Sequence, residues 1–127
     1  MSNIIGLGLD VTDIPRIADA IARYGDRFLH RVFTDGEVAY CRRHRVPEIR
    51  FAARFAAKEA AMKALGTGFS RGVFWHDIEV VRHGGPPQLQ FHGGAARRFA
   101  SIGGTSSLLT ITHSDTIALA EVLILGR

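Results

Sequence analysis

The sequence has a single cysteine, Cys41, among its 127 residues. An internal disulfide is therefore excluded, and a lone thiol without a role fits a reducing compartment. No apolar run approaches the ~20 residues needed to span a bilayer. The opening apolar stretch is broken by Asp10 and lacks a basic lead-in, so no secretory signal is read there. Spacings among His30, His44, His76, His83, His92 and Cys41 match no zinc-ligand pattern. Gly66-Thr67-Gly68 with Gly72 lacks the Gly-Lys-Ser/Thr ending of a phosphate-binding loop. Internal repeats, low-complexity tracts and linkers are missing too. The length fits one domain, 1–127, with room for a real core.

What is present is an ordinary apolar share of 46% with 22% charged residues, as in water-soluble globular proteins. The formal charge is +4, and the cationic excess is arginine. That balance implies an acidic partner: nucleic acid, an anionic membrane surface, an acidic protein or a polyphosphate ligand.

The central stretch runs from Arg54 to Gly66 as Arg-Phe-Ala-Ala-Lys-Glu-Ala-Ala-Met-Lys-Ala-Leu-Gly. Its residues are strong helix formers, and Gly66 is the stop signal just past the end. Glu59 and Lys63 share one helical face, and Arg54 and Lys58 form a neighbouring row. These charges are embedded in Ala, Phe, Met and Leu. Such a helix is mostly packed and brings a carboxylate and cations to a defined place, as a metal–phosphate site requires.

Before it, Asn3 to Asp13 reads as a strand. Ile5, Leu7, Leu9 and Val11 share one parity, and Gly6, Gly8, Asp10 and Thr12 the other. Glycines on the Asp10 face predict a close approach to the backbone there. Asp13 and Pro15 start a helix through Ile14, Ile17 and Ile21. Arg16, Arg23 and Arg27 would align if that helix ran on through Gly25, a residue that tends to interrupt it. Phe28 to Phe33 anchors a short helical piece. Thr34-Asp35-Gly36-Glu37 is a capping box opening a helix to about His44. Pro47 then begins the central helix.

Beyond Gly72 the pattern changes to short strands. Asp77 to Arg82 and Gln88 to His92 form a hairpin around Gly84-Gly85-Pro86-Pro87. Gly93 to Ile102 is a short helix with Arg97 and Arg98 exposed. Ser106 to Ser114 and Thr116 to Leu125 are strands joined around Asp115. His113 shares parity with Leu109 and Ile111, which by periodicity alone makes it a core residue.

Several of these segments resemble the holo-(acyl-carrier-protein) synthases, the short bacterial class of 4′-phosphopantetheinyl transferase. The resemblance is carried by Gly8-Leu9-Asp10-Val11 with Arg16, by Phe33-Thr34 with Glu37, and by Arg54 to Ala60 with Lys63. Gly66-Thr67-Gly68, Asp77-Ile78-Glu79-Val80, Gly85-Pro86-Pro87 and Thr112-His113-Ser114-Asp115 complete it. Thr112 stands where many members carry serine, and it keeps the hydroxyl. The implied fold is α+β, with helices packed on an antiparallel sheet, forming a homotrimer with interfacial active sites. The implied reaction moves phosphopantetheine from coenzyme A to a serine of apo-acyl-carrier protein in the cytoplasm, for fatty acid biosynthesis, leaving adenosine 3′,5′-bisphosphate. In that setting Asp10 and Glu59 hold Mg²⁺, and Asp10, Glu59 and Lys63 form the catalytic group. Arg54, Lys58, Lys63, Gly66 and His113 surround coenzyme A, and Arg16, Arg23 and Arg27 steer the acidic carrier. Neither nucleic acid nor membrane is implied as a partner.

Two rival readings come from other classes. A small basic nucleic-acid module would explain the charge, but no strand displays an alternating aromatic platform and no groove-reading motif is visible. A catalytically silent interaction protein is opposed by the presence of both carboxylates and Lys63.

Overall fold

The computed structural model describes residues 3–127. Strand β1 (Asn3–Asp13) leads into helices α1 (Ile14–Tyr24), α2 (Asp26–Val32), α3 (Asp35–Arg42) and the long α4 (Pro47–Leu65). The hairpin β2 (Ile78–Val81) and β3 (Gln88–Phe91) follows, then α5 (Gly93–Ser101), β4 (Gly104–His113) and β5 (Ile117–Gly126). The architecture is α+β: an antiparallel sheet ordered β1-β5-β4 and a separate two-stranded β2-β3 sheet.

Helix α4 is the pivot. Its stop is Gly66, whose left-handed φ of 75° lets its N–H turn back to the Lys63 and Met62 carbonyls. One side of α4 lies directly on the sheet. Ala118, Ala120, Val122 and Ile124 of β5 are all buried on that side. In β1 the close approach expected at Gly6 and Gly8 is made by α4 itself. A Cβ on Gly8 would overlap the Ala60 carbonyl oxygen, and one on Gly6 that of Ala64. The space in front of Asp10 is thus roofed by helix rather than left open.

The opposite face of α4 meets α3 and the hairpin. Thr34 and Glu37 form the expected capping box at the start of α3. Between α1 and α2, Gly25 adopts φ 57°, ψ −132°, so the first helix does not continue. Arg27 therefore lies on α2, and its alignment with Arg16 and Arg23 along one stripe is corrected; all three remain exposed. Arg98, expected on the surface, is half-buried and donates from Nε to the Leu65 carbonyl at 3.0 Å, holding the end of α4.

The outer face of the three-stranded sheet is apolar and uncovered. Leu7 (60% exposed), Leu123 and Leu108 (57% exposed) lie in register across it, and Leu9 and Val11 are exposed beside them. Among the described residues no helix is long and apolar enough to cross a membrane.

Candidate active site

Strand β1 and helix α4 bring the two halves of the site together. Successive side chains of β1 alternate, so Asp10 points at α4 from the glycine face. Its side chain is only 13% exposed. Lys63 Nζ reaches across the seam, 3.1 Å from Asp10 Oδ1 and 2.8 Å from the Leu9 carbonyl oxygen to which it donates. Thr12 Oγ1 donates to Asp10 Oδ2 at 2.6 Å. Glu59 lies one helical turn before Lys63 on the same face, and its Oε2 accepts the Trp75 indole N–H at 2.7 Å. Asp10 and Lys63 are therefore joined directly across this seam, and Glu59 shares the Lys63 face of α4 one turn earlier.

Arg54 and Lys58, the neighbouring row, face the other way. Lys58 is fully buried, 2.6 Å from Glu37 Oε1, with both side chains at 0% exposure. Its ammonium also donates to the Trp75 carbonyl at 3.1 Å and to the Ile78 carbonyl. Burial pushes the Lys58 pKa below the usual lysine range, opposed by Glu37. Glu37 in turn accepts from the backbone N–H groups of Thr34 and Val80, both at 2.9 Å. The expectation that Lys58 lines a coenzyme A pocket is corrected: its charge is consumed in tying α4 to α3 and β2, out of reach of any solvent-borne ligand.

Arg54 is 5% exposed. Its Cζ stacks 3.9 Å from the Tyr40 ring centroid, and Nη1 donates to the Val80 carbonyl at 3.1 Å. Its buried Nε has no partner. With Tyr40, Arg50, Arg82 and His113 it walls a cavity of about 200 Å³. His113, at the end of β4, is exposed rather than part of the core. Three guanidinium groups and an imidazole line one cavity, a basic rim of the kind that suits an anion. Gly66 is exposed and acts here as the cap of α4.

Cys41 is buried, and burial drives its thiol up to about 11. A neutral thiol there is no nucleophile. Among the described residues no cluster of three or more His, Cys, Asp or Glu side chains is placed to hold a metal ion. A full protein cage is therefore excluded, while a two-carboxylate site is not. Hard oxygen donors in small number are what Mg²⁺ takes, with waters and phosphate oxygens filling its octahedron, so Asp10 and Glu59 fit that ion.

Sequence reasoning missed Trp75, Arg50 and Arg82, and it read Glu37 only as a cap. Trp75 had one available signal, being the sole tryptophan in the chain. Its pairing with Glu59 depends on the path of the glycine-rich connection, which no spacing reveals.

A carboxylate–ammonium seam joins strand β1 to helix α4, and an arginine-rimmed cavity lies on the other row of the same helix, in an α+β architecture. The chain belongs to the 4′-phosphopantetheinyl transferase superfamily, whose family model matches residues 6–118, and it is an enzyme of that class. It is 50% identical over 122 residues to a holo-[acyl-carrier-protein] synthase of Koribacter versatilis, covering 95% of this chain and 98% of that one. The holo-[acyl-carrier-protein] synthase of Neisseria meningitidis superposes with a TM-score of 0.88 at 28% identity, covering 96% of this chain and 98% of that one. The Helicobacter pylori enzyme, solved in complex with coenzyme A, gives 0.82 at 25% identity over 93% and 98% of the two chains.

Proposed function

We propose that this chain transfers 4′-phosphopantetheine from coenzyme A to a serine hydroxyl of an acidic apo-acyl-carrier protein, in the cytoplasm and in the service of fatty acid biosynthesis. The serine oxygen forms a bond to the phosphorus bearing the pantetheine. The pyrophosphate P–O bond breaks, adenosine 3′,5′-bisphosphate leaves, and the serine proton passes to a base. The observation that carries the reading is Lys63, bonded to Asp10 at 3.1 Å and one turn from Glu59.

Each residue has a defined task. Asp10 and Glu59 would hold Mg²⁺, which would supply positive charge against the charge developing on the leaving phosphate. Lys63 is 54% exposed and can turn from Asp10 Oδ1 to a phosphate oxygen as a point charge. The serine proton passes through water, with Glu59 as one candidate base. Arg54 and His113, with Arg50 and Arg82, receive the nucleotide phosphates, and Gly66 offers backbone at the C-terminal end of α4. Arg16 and Arg23 on α1 and Arg27 on α2 steer the acidic carrier, so charge reversal at Arg16 raises the carrier KM and flattens its salt dependence.

The uncovered apolar face of β1-β5-β4 supports assembly into a homotrimer with sites between subunits. The direct test is mass spectrometry of an apo-carrier incubated with coenzyme A, Mg²⁺ and this chain; an unmodified carrier refutes the reading. Asp10→Asn keeps the shape of the side chain and removes its charge. It is expected to lower kcat by roughly 100-fold or more while leaving the unfolding midpoint nearly unchanged. Full activity of that variant at saturating Mg²⁺ would remove Asp10 from the site.

A further inference from the structure

Trp75 is not among the residues that the sequence pattern ties to the chemistry, yet it touches Glu59. Its indole Nε1–H donates to Glu59 Oε2 at 2.7 Å, so one carboxylate oxygen is occupied and the rotation of the group is fixed. The ring cannot drift. It packs 4.3 Å from the Phe69 ring and 6.0 Å from that of Phe55, centroid to centroid. Its backbone is anchored from behind, because the Trp75 carbonyl accepts from Lys58, the buried cation paired with Glu37. A rigid donor on a carboxylate is the kind of outer contact that orients metal ligands and sets their affinity.

Trp75 also lines a groove of about 520 Å³, shared with Tyr24, Arg27, Phe28, Arg31 and Val32. Arg27 is one of the cations assigned above to the acidic carrier. A single residue thus lines the groove beside Arg27 and holds the Glu59 carboxylate.

We infer that Trp75 is a positioning residue that orients Glu59 for Mg²⁺ through its indole N–H and carries the effect of a docked carrier to that carboxylate. The inference rests on the reading given under Proposed function. Asp10, by contrast, has Thr12 and Lys63 as its partners, so the two carboxylates are held by different kinds of donor. Trp75 acts on Glu59 alone.

Trp75→Phe keeps the ring packing and deletes only the donor. Binding of Mn²⁺, which shares the oxygen-ligand preference of Mg²⁺, is measured in the presence of coenzyme A from the loss of the free-ion electron paramagnetic resonance signal. The expected result is a Kd raised at least about tenfold, with the same displacement in the Mg²⁺ dependence of turnover. A lowered unfolding midpoint with unchanged Mn²⁺ affinity assigns Trp75 to structure alone and overturns the inference.

Because Trp75 is the only tryptophan, wild-type protein supplies a readout that needs no variant at this position. Its emission is expected to change saturably with Mg²⁺, and Glu59→Gln should move that titration to at least about tenfold higher Mg²⁺. Emission indifferent to Mg²⁺ in protein that binds Mn²⁺ overturns the inference even if Trp75→Phe does not fold. The further step, from carrier to carboxylate, predicts that saturating apo-carrier lowers the Mn²⁺ Kd of wild type and not of Trp75→Phe; equal lowering in both removes it. Wild type that modifies no carrier sinks the transferase reading and this inference together. Wild-type modification with an unaltered Trp75→Phe sinks this one only.

Discussion

At the scale of single residues, one step along a helix separates chemistry from architecture. Lys58 and Glu59 are neighbours in sequence but about 100° apart around α4. Glu59 therefore looks to Trp75 on the Lys63 side of the helix, while Lys58 looks into the core beside Glu37. Row assignments along α4 were legible in the sequence, since Glu59 pairs with Lys63 and Arg54 with Lys58. Which row faced solvent was not, because that depends on what packs against each. Lys58→Met leaves Glu37 buried without its counter-ion, and a broken buried pair costs about 3–5 kcal/mol. Urea unfolding should record that loss. Replacing Glu37 and Lys58 together, by Gln and Met, should cost less than the two single changes added, since neither charge is then stranded. Additive losses would show that the 2.6 Å pair contributes nothing as a pair.

At the scale of elements, the seams between helices and hairpin are held by side chains that cap one element while bonding another. Thr34 caps α3 and donates from Oγ1 to Glu79 Oε2 on β2 at 2.8 Å. His92, at the start of α5, lies 3.0 Å from Glu79 Oε1 through Nε2. Burial works to raise the Glu79 pKa, but the bonds from Thr34 and His92 and the charges of His92 and Lys58 together outweigh it, so the group titrates below its usual 4.5. The folded state thus favours the carboxylate. Its stabilisation is fully present above the unfolded value and is lost as pH falls through the lower folded one. Glu79→Gln should cost about 1–2 kcal/mol at pH 7, and the deficit relative to wild type should shrink towards pH 3. A deficit constant from pH 7 to pH 3 would place the loss in shape rather than charge. The bounds of β1 and α4 and the capping box of α3 were readable from parity, Pro47, Gly66 and the Thr34–Glu37 spacing. The Thr34–Glu79 bond spans 45 positions, and local pattern carries no trace of it.

At the scale of the whole molecule, the sheet has two apolar faces and only one of them is buried. Small residues let α4 settle on the inner face: Gly6, Gly8, Ala118 and Ala120 stand where larger side chains would hold the helix off. The sequence showed this asymmetry only as glycines on one parity of β1 and leucines on the other. Taken alone, a strand with leucine on one face reads as leucine inward. The reversal follows from the helix being alanine-rich, since an alanine surface packs closest against glycine. Leu7, Leu9, Val11 and Leu108 are left facing water in an isolated chain, and an exposed patch of that kind is stable when copies cover it. Leu108→Glu places a charge at the end of the Leu7–Leu123–Leu108 row without touching α4. If copies assemble on this face as proposed, sedimentation of the variant should fall from that of the assembly to that of a single 13.9 kDa chain. If sites lie between subunits, transfer activity should fall with it, although Asp10, Glu59 and Lys63 are unchanged. A monomeric variant with full turnover would locate the entire site within one chain, and the arginine-rimmed cavity and the Asp10–Lys63 seam would then have to serve the same bound nucleotide from a single subunit.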